Sequence, residues 1–425
     1  MTQMALPNEP IEIHKGSVNL RYNNEVIATT SGIVFKWLPQ PCVQIKGTTD
    51  NAHIMQKAIG ANSKLEVLQE NSVVGEVMIT NLTTSIPSDF SSFSSKILSQ
   101  IVFGNKNQSV DLIRFEVSNL RNFNGRLALC NDDYEITIDK NQNSENLSKK
   151  LKDEGGYILL YSGKIVSQKN TLITFEECEN LCDCLSHFFF FLNGRRCSPL
   201  FRKGFSGETE VWADYTPYFT DPYQYVPTWP QAFNIEGLNE VWVNFHRLWR
   251  EESERDVLKT ALHWYVEANS NAGFVEGSLT MIQNALELLF SWIMVEKLHY
   301  INDGDSEKIP ASSKIGIILA YCKIKPEIPP TLIELTKLSK SIKDVNTGPE
   351  AITYIRNKIV HPKRKNREQF RKITNGAKRE SLQLGLWYVE LILLHYLDYK
   401  GQYLNRCSGA KPSGEGEEFV PWCQE

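Results

Sequence analysis

The chain has 425 residues, 41% hydrophobic and 23% charged, enough apolar material for a sizeable core and, at this length, for more than one domain. Its 46 Lys and Arg against 50 Asp and Glu leave a net charge of −4, which excludes a protein that grips nucleic acid by overall basicity; any polyanion site must be local. The amino terminus, MTQMALPNEPIEIH, lacks the basic and apolar regions of a secretory signal. No apolar run approaches the roughly 20 residues that span a bilayer, so no membrane association and a cytoplasmic location are expected. The nine cysteines, an odd number scattered along the chain, then read as reduced thiols.

From about residue 10 to 175, short alternating or β-branched runs are cut by Asn, Gly and Ser clusters: SVNLRYNNEVIATTSGIVFKW, VVGEVMITNL, LIRFEVSNL, YEITID and GYILLYSGKIV. The pattern predicts antiparallel strands, with hairpin turns at Asn23-Asn24 and Asp132-Asp133 and a helical insertion over Asn51–Ile59. A helix is predicted over Phe175–Leu192, with Thr174 as its cap and Glu176 and Glu177 in its first turn. The Pro- and aromatic-rich stretch Tyr215–Phe233 has no period and reads as the domain boundary.

Beyond Asn234 the period becomes helical. Leu238 to about Asn269 reads as one long helix or two joined near Glu252. Val275 to about Leu298 is apolar around most of its circumference, as a helix in the middle of a bundle is. Shorter helices follow over Lys314–Cys322 and Leu332–Leu338. Gly348-Pro349-Glu350 opens another, with proline at the first position. The last helix carries the stripe Leu382, Leu386, Val389, Leu393 and Tyr396. The expected fold is therefore multidomain α+β: a β-rich regulatory or sensor region over 1–175, a helix and connector over 176–233, an all-α antiparallel bundle over 234–400, and a loose tail over 401–425.

The stretch Ile355–Lys365, IRNKIVHPKRK, places a guanidinium, an amide and an imidazole within six residues, followed at once by a basic run. Residues 351–380 hold ten Lys and Arg against two Glu, so the positive field is concentrated beside the histidine. On a helix Asn357 and His361 share a face, whereas Arg356 and His361 lie about 140° apart. The proline after His361 disfavours helical geometry there and leaves the imidazole at a helix end. One such set is thin; two copies meeting across a twofold axis would surround a phosphate with two Arg and two His.

The pattern Arg356-Asn357-x-x-x-His361, late in a helical domain and preceded by a long apolar helix containing Ala285-Leu286-Glu287-Leu288-Leu289, resembles the HEPN superfamily over roughly Leu238–Lys400. The resemblance implies an up-down helical bundle, usually a homodimer, and often an endoribonuclease that needs no metal or other cofactor and builds its site from both copies. Such domains recur in toxins, abortive-infection antiphage proteins and RNA-guided defence effectors. A β-rich region ahead of the bundle resembles the abortive-infection class, in which that region would sense a phage or antitoxin protein.

The activity implied is transesterification of RNA, the 2′-hydroxyl attacking the adjacent phosphorus while the 5′-oxygen leaves. A free imidazole titrates at about 6.5, which suits a histidine to the base and acid steps, the role His361 would take. Arg356 would stabilise charge on the non-bridging oxygens, and Asn357 would orient His361 or contact phosphate. Lys358, Lys363, Arg364, Lys365 and Arg367 would hold flanking phosphates of the RNA. Glu287 reads either as a carboxylate orienting the Arg or His, or as a paired core carboxylate.

Other readings stand beside this one. Arg356 and His361 could be a surface cation and a helix-end histidine, in a bundle that only dimerises or binds a partner protein or nucleic acid. Cys178, Cys182, Cys184, His187 and Cys197 could hold zinc, although the spacing matches no paired-knuckle pattern and FFFFL argues for burial. The aromatic strip Trp212–Trp229 could stack bases, or serve as a connector. No Walker-type loop, Gly-x-Ser-x-Gly or HExxH occurs, so ATPase, α/β-hydrolase and zincin chemistry lose support.

Overall fold

A strand over Ile11–Ser17 (β1) leads into a hairpin of β2 (Asn19–Tyr22) and β3 (Glu25–Ile27). Its turn residues Asn23 and Asn24 both have positive φ, 47° and 71°, the conformation a two-residue type I′ turn requires and Asn tolerates. In the computed structural model, which describes residues 6–70, 72–84, 91–230, 235–270, 273–361, 363–409 and 417–423, this hairpin forms one edge of an eight-stranded antiparallel sheet. The sheet adds β4 (Thr30–Lys36), β5 (Cys42–Thr49), β6 (Leu65–Gln69), β7 (Ser72–Thr84) and β8 (Ser91–Ile97), in the order β1-β4-β5-β8-β7-β6-β2-β3. Alternation sets which face is inside: β4 buries Ser31, Ile33 and Phe35 and leaves the residues between them partly exposed. A helix over Ala52–Gly60 (α1), close to the expected 51–59, buries Ile54, Met55 and Ala58.

A second antiparallel sheet contains β9 (Val102–Gly104), β10 (Leu112–Ser118), β11 (Leu127–Cys130), β12 (Tyr134–Lys140), β13 (Leu159–Ser167), β14 (Pro199–Ser206) and β15 (Thr209–Asp214), ordered β11-β12-β13-β10-β14-β15-β9. The β11–β12 turn falls at Asn131–Asp133, as expected, with Asn131 Oδ1 accepting from the backbone N–H groups of Asp133 and Tyr134 at 2.9 and 2.8 Å. Helices α2 (Ser144–Glu154) and α3 (Phe175–Asn193) complete this half. Strands β14 and β15 correct the sequence reading, which left 199–214 inside the connector. Within these strands Arg202 and Asp214 are both buried and approach to 3.9 Å, and Tyr218 Oη donates to Asp214 at 2.8 Å. Mutual neutralisation is what lets two charges sit inside a sheet.

The carboxy-terminal half is helical: α4 (Glu236–Trp249), α5 (Glu252–Asn269), α6 (Phe274–Phe290), α7 (Asp303–Ser306), α8 (Ala311–Tyr321), α9 (Ile333–Ser341), α10 (Gly348–Val360), α11 (Arg364–Lys372) and α12 (Asn375–Tyr396). The break between α4 and α5 comes at Glu251, which is extended (φ −88°, ψ 121°). Helix α6 continues without interruption into a π-helix over Ser291–Lys297, where Trp292, Ile293 and Met294 are all buried. The α+β layout is as expected, but the helices are not uniformly antiparallel. Lys378 meets Glu276, a Cβ on Gly385 would come within 2.9 Å of Ile282, and Trp292 meets Tyr396 with ring centroids 4.3 Å apart. Helices α6 and α12 therefore run in the same direction, which the intervening crossover through α7–α11 makes possible.

Glu390, in the middle of α12, is fully buried. Arg406 Nε donates to its Oε2 at 3.0 Å, Arg406 Nη2 pairs with its Oε1, and Tyr265 Oη donates to Oε1 at 2.6 Å. Burial and then the adjacent carboxylate push the Tyr265 phenol well above its ordinary range, so it remains a donor. The segment after α12 is also ordered, against the expectation of a loose tail over 401–425. Gln402–Leu404 (β16) pairs with Glu417–Phe419 (β17), and the buried Tyr403 donates to Glu418 at 2.6 Å and accepts from Trp387 at 3.1 Å. Buried aromatic area and these bonds supply what composition alone did not suggest; residues 410–416, also assigned to the tail, lie outside those described.

By contacts the chain divides into two units: residues 1–120, 125–186 and 197–224, and residues 121–124, 187–196 and 225–425. The last division, at 224/225, lies inside the Pro- and aromatic-rich stretch Tyr215–Phe233. One helix, Phe274–Lys297, is long and apolar enough to cross a membrane by length and composition, contrary to the expectation of none, and 61% of its most apolar window is buried inside the protein.

Two carboxylates, Glu116 partly buried and Glu390 fully buried, make this packing testable. Burial raises the Glu116 carboxyl on β10 to about 6, against a smaller lowering by its hydrogen bond from Asn141. Its protonated form is favoured in the fold, so its contribution to stability is present below the unfolded value of about 4.3 and is lost as pH rises through about 6. Glu116→Gln is expected to gain about 2 kcal/mol over wild type between pH 4 and pH 8 in urea unfolding. Glu390→Ala is expected to lower the stability of the helical unit by about 3–5 kcal/mol, by stranding Arg406, with Glu390→Leu/Arg406→Met recovering much of it.

Candidate functional site

The Arg-Asn-His motif lies at the end of α10, and the start of that helix is firmly fixed. Thr347 Oγ1 accepts from the Glu350 N–H at 3.4 Å, while Glu350 Oε2 accepts from the N–H groups of Thr347 and Asn346 at 3.0 and 2.8 Å. This is a reciprocal capping box. Pro349 stands second in the helix, one place later than expected, because Thr347 and not Gly348 is the cap. Ala351, Ile352 and Ile355 are buried. The helix stops at Val360, and His361 turns to φ −103°, ψ 96°, the region a residue before proline prefers.

At this end Arg356 is partly exposed, with Nη1 3.4 Å from Asn357 Oδ1 and with Nε buried and lacking a hydrogen-bond partner among the described residues. Asn357 and His361 are exposed. The backbone oxygen of His361 accepts from Lys363 N–H and from Asn366 Nδ2, both at 2.9 Å, and Lys358 Nζ reaches Asn366 Oδ1 at 3.4 Å. These bonds fold α11 back onto the end of α10. Lys363, Arg364, Lys365 and Arg367 are all exposed around this turn, with Arg364 paired to Glu368 at 2.9 Å. Lys358 Nζ also lies 4.7 Å from the centre of the Tyr354 ring.

Glu287 takes no part in this arrangement: its carboxylate accepts from Gln283 at 2.7 Å, and among the described residues it bonds neither Arg356 nor His361. Of the cysteine-rich set, Cys178 and Cys182 have sulfurs 4.0 Å apart, while Cys197 Sγ donates to the Ser118 carbonyl at 3.0 Å. Among the described residues, no group of three or more His, Cys, Asp or Glu is placed to hold a metal ion.

The sequence reading missed a second polar region in the same unit. A cavity of about 760 Å³ is lined by residues including Phe274, Glu276, Lys378, Arg379, Leu382 and Arg406. Lys378 is buried, with Nζ 3.2 Å from Glu276 and 3.8 Å from the centre of the Phe370 ring. Two signals were available: the lone carboxylate Glu390 in the apolar run LWYVELILL, and Lys378 at the end of the basic stretch.

What these features define is a two-part α+β protein with an exposed Arg-Asn-His set and a basic helix at one end of its helical half. Residues 251–418 match the family model of the YopA C-terminal domain, and residues 105–226 that of the YopA central domain. Over 437 aligned residues the chain is 28% identical to the SPbeta prophage-derived uncharacterized protein YopA of Bacillus subtilis (strain 168), covering 98% of this chain and 95% of that one. No solved structure matches the chain. The Arg-Asn-His set and the cavity lining residues from Ala268 to Arg406 fall within the first matched region.

Removing the cap should loosen the helix that carries the motif. Thr347→Ala is expected to cost about 1 kcal/mol, read as faster amide exchange at the start of α10 with little change in α5 or α6.

Proposed function

We propose that the helical half is an HEPN-type, metal-independent endoribonuclease acting as a toxin or antiphage effector, with the β-rich half as its sensor or restraint. The observation that carries this reading is the imidazole of His361: exposed at a helix end, without a side-chain hydrogen-bond partner among the described residues, five residues beyond Arg356 and at the root of an exposed basic helix. An imidazole open to solvent among cations is available to a phosphate ester.

In this mechanism the imidazole of one copy takes the proton of the RNA 2′-hydroxyl as the 2′-oxygen bonds to phosphorus. The bond from phosphorus to the 5′-oxygen breaks, and the imidazolium of a second copy protonates the leaving oxygen. The products are a 2′,3′-cyclic phosphate and a 5′-hydroxyl. Arg356 offsets charge on the non-bridging oxygens, while Lys363, Lys365 and Arg367 hold neighbouring phosphates in a salt-dependent way. Similarity to a protein named for the SPbeta prophage supports a role in the contest between phage and host.

The test is cleavage of a labelled mixed-sequence RNA in EDTA by the full-length chain. Cyclic-phosphate ends are expected, with a rate at least about 100-fold lower for His361→Ala and a reduced salt dependence of binding for the triple variant Lys363→Ala/Lys365→Ala/Arg367→Ala. RNA bound without cleavage by wild type, or cleavage indifferent to His361→Ala, would favour a binding and dimerisation module.

A further inference from the structure

Helix α10 carries more toward its exposed end than the Arg-Asn-His set. Tyr354, Lys358 and His361 are spaced four and three residues apart. At about 100° per residue they return to one face, within roughly 60° of one another. Arg356 lies about 160° from Tyr354, on the other side of the helix. The side chain that shares the histidine's face is therefore an aromatic ring and not the guanidinium.

Contacts join these groups into one chain. Lys358 Nζ lies over the Tyr354 ring, 4.7 Å from its centre, as a side chain four places on does when it leans back along the helix. The same Nζ is 3.4 Å from Asn366 Oδ1, and Asn366 Nδ2 donates to the His361 carbonyl at 2.9 Å. The bonds that fold α11 back thus tie the ammonium to the ring on one side and to the backbone of the histidine on the other.

The protein itself does not use up this pairing. Tyr354 is only partly buried, and its hydroxyl makes no hydrogen bond among the described residues. Lys358 has no carboxylate partner among the described residues; its polar contact there is the neutral Asn366 amide. The exposed cations Lys363, Lys365 and Arg367 follow within the next turns. An accessible ring, an unneutralised ammonium over it and further cations beyond make a surface that suits a flat π-system carrying phosphate.

We infer that Tyr354 is the base-stacking residue beside His361, an inference that rests on the RNA-acting reading above. A nucleobase of single-stranded RNA packs against the Tyr354 ring, Lys358 meets the phosphate of that nucleotide, and the strand runs on along the same face to His361. Tyr354 and His361 are about 10.5 Å apart along the helix axis, so the stacked base belongs to a nucleotide neighbouring the one held at the histidine. Tyr354 positions the strand and takes no part in the bond changes. In a duplex the bases are stacked on one another and closed to a side chain, so this ring selects single strands.

The test uses the full-length protein and a short 2′-O-methyl RNA with 2-aminopurine placed at each position in turn. This RNA lacks the hydroxyl that attacks phosphorus, so binding is read without turnover. Saturable binding is expected, with 2-aminopurine fluorescence quenched at one position and affinity about tenfold weaker for the same RNA in a duplex. Tyr354→Leu keeps apolar bulk against the bundle and removes the flat ring. It is expected to lose the quenching and to weaken binding about tenfold, with the slope of affinity against salt unchanged because no charge is removed. Tyr354→Phe is expected to behave as wild type. No binding, equal affinity for the duplex, quenching that survives in Tyr354→Leu, or quenching lost in Tyr354→Phe would overturn the inference. Cleavage of ordinary RNA together with binding indifferent to Tyr354→Leu would sink the stacking role alone, whereas stacking without cleavage would sink the ribonuclease alone.

Discussion

The helical unit is organised around a carboxylate that its own helix cannot satisfy. Glu390 sits fully buried in a run of Trp, Tyr, Val, Leu and Ile, and an unpaired carboxylate there would cost several kcal/mol. Its partner comes from beyond the end of the helix. The chain must therefore turn back after Tyr396 and lay Arg406 against α12, while Tyr265 is drawn in from α5. Arg406 spends its remaining donors on Asn269 and the Pro227 carbonyl, at 3.3 and 2.8 Å. One buried charge thereby ties together a helix end, a connector and the final segment of the chain.

That closure also fixes the surroundings of the cavity and of the Arg-Asn-His set. Arg406, paired with Glu390, forms part of the cavity wall. With α12 locked in place, α10 has a firm surface for Ile352 and for Gly348, which packs so closely on Tyr388 that a Cβ there would collide with the phenol ring. The motif end of α10 is accordingly held at a set depth, while Asn357 and His361 stay exposed. Rigid support beneath exposed polar groups is the arrangement a binding or catalytic surface needs.

Much of this architecture is legible in the sequence itself. The Asn23-Asn24 turn, the β-rich run to residue 167 and the break before α5 follow from turn chemistry and period, which are local. The end of α10 at His361 follows from the proline behind it. Strands β14 and β15 are not legible, because Arg202 and Asp214 look like loop residues until they neutralise each other inside a sheet. The order of 402–404 and 417–419 is hidden for the same reason: Tyr403 and Glu418 are partners across 15 residues, and composition carries no information about pairing at that distance. Of the candidate site, Arg356, Asn357 and His361 are visible as a motif. The cavity is not, since it depends on two helices a hundred residues apart starting side by side.

The π-helix at Ser291–Lys297 bears on how the end of α6 is anchored. Trp292, Ile293 and Met294 are all buried there. At its end Lys297 pairs with the buried Glu254 of α5. The far end of α6 is thereby tied to the start of α5 by a charge pair as well as by apolar packing.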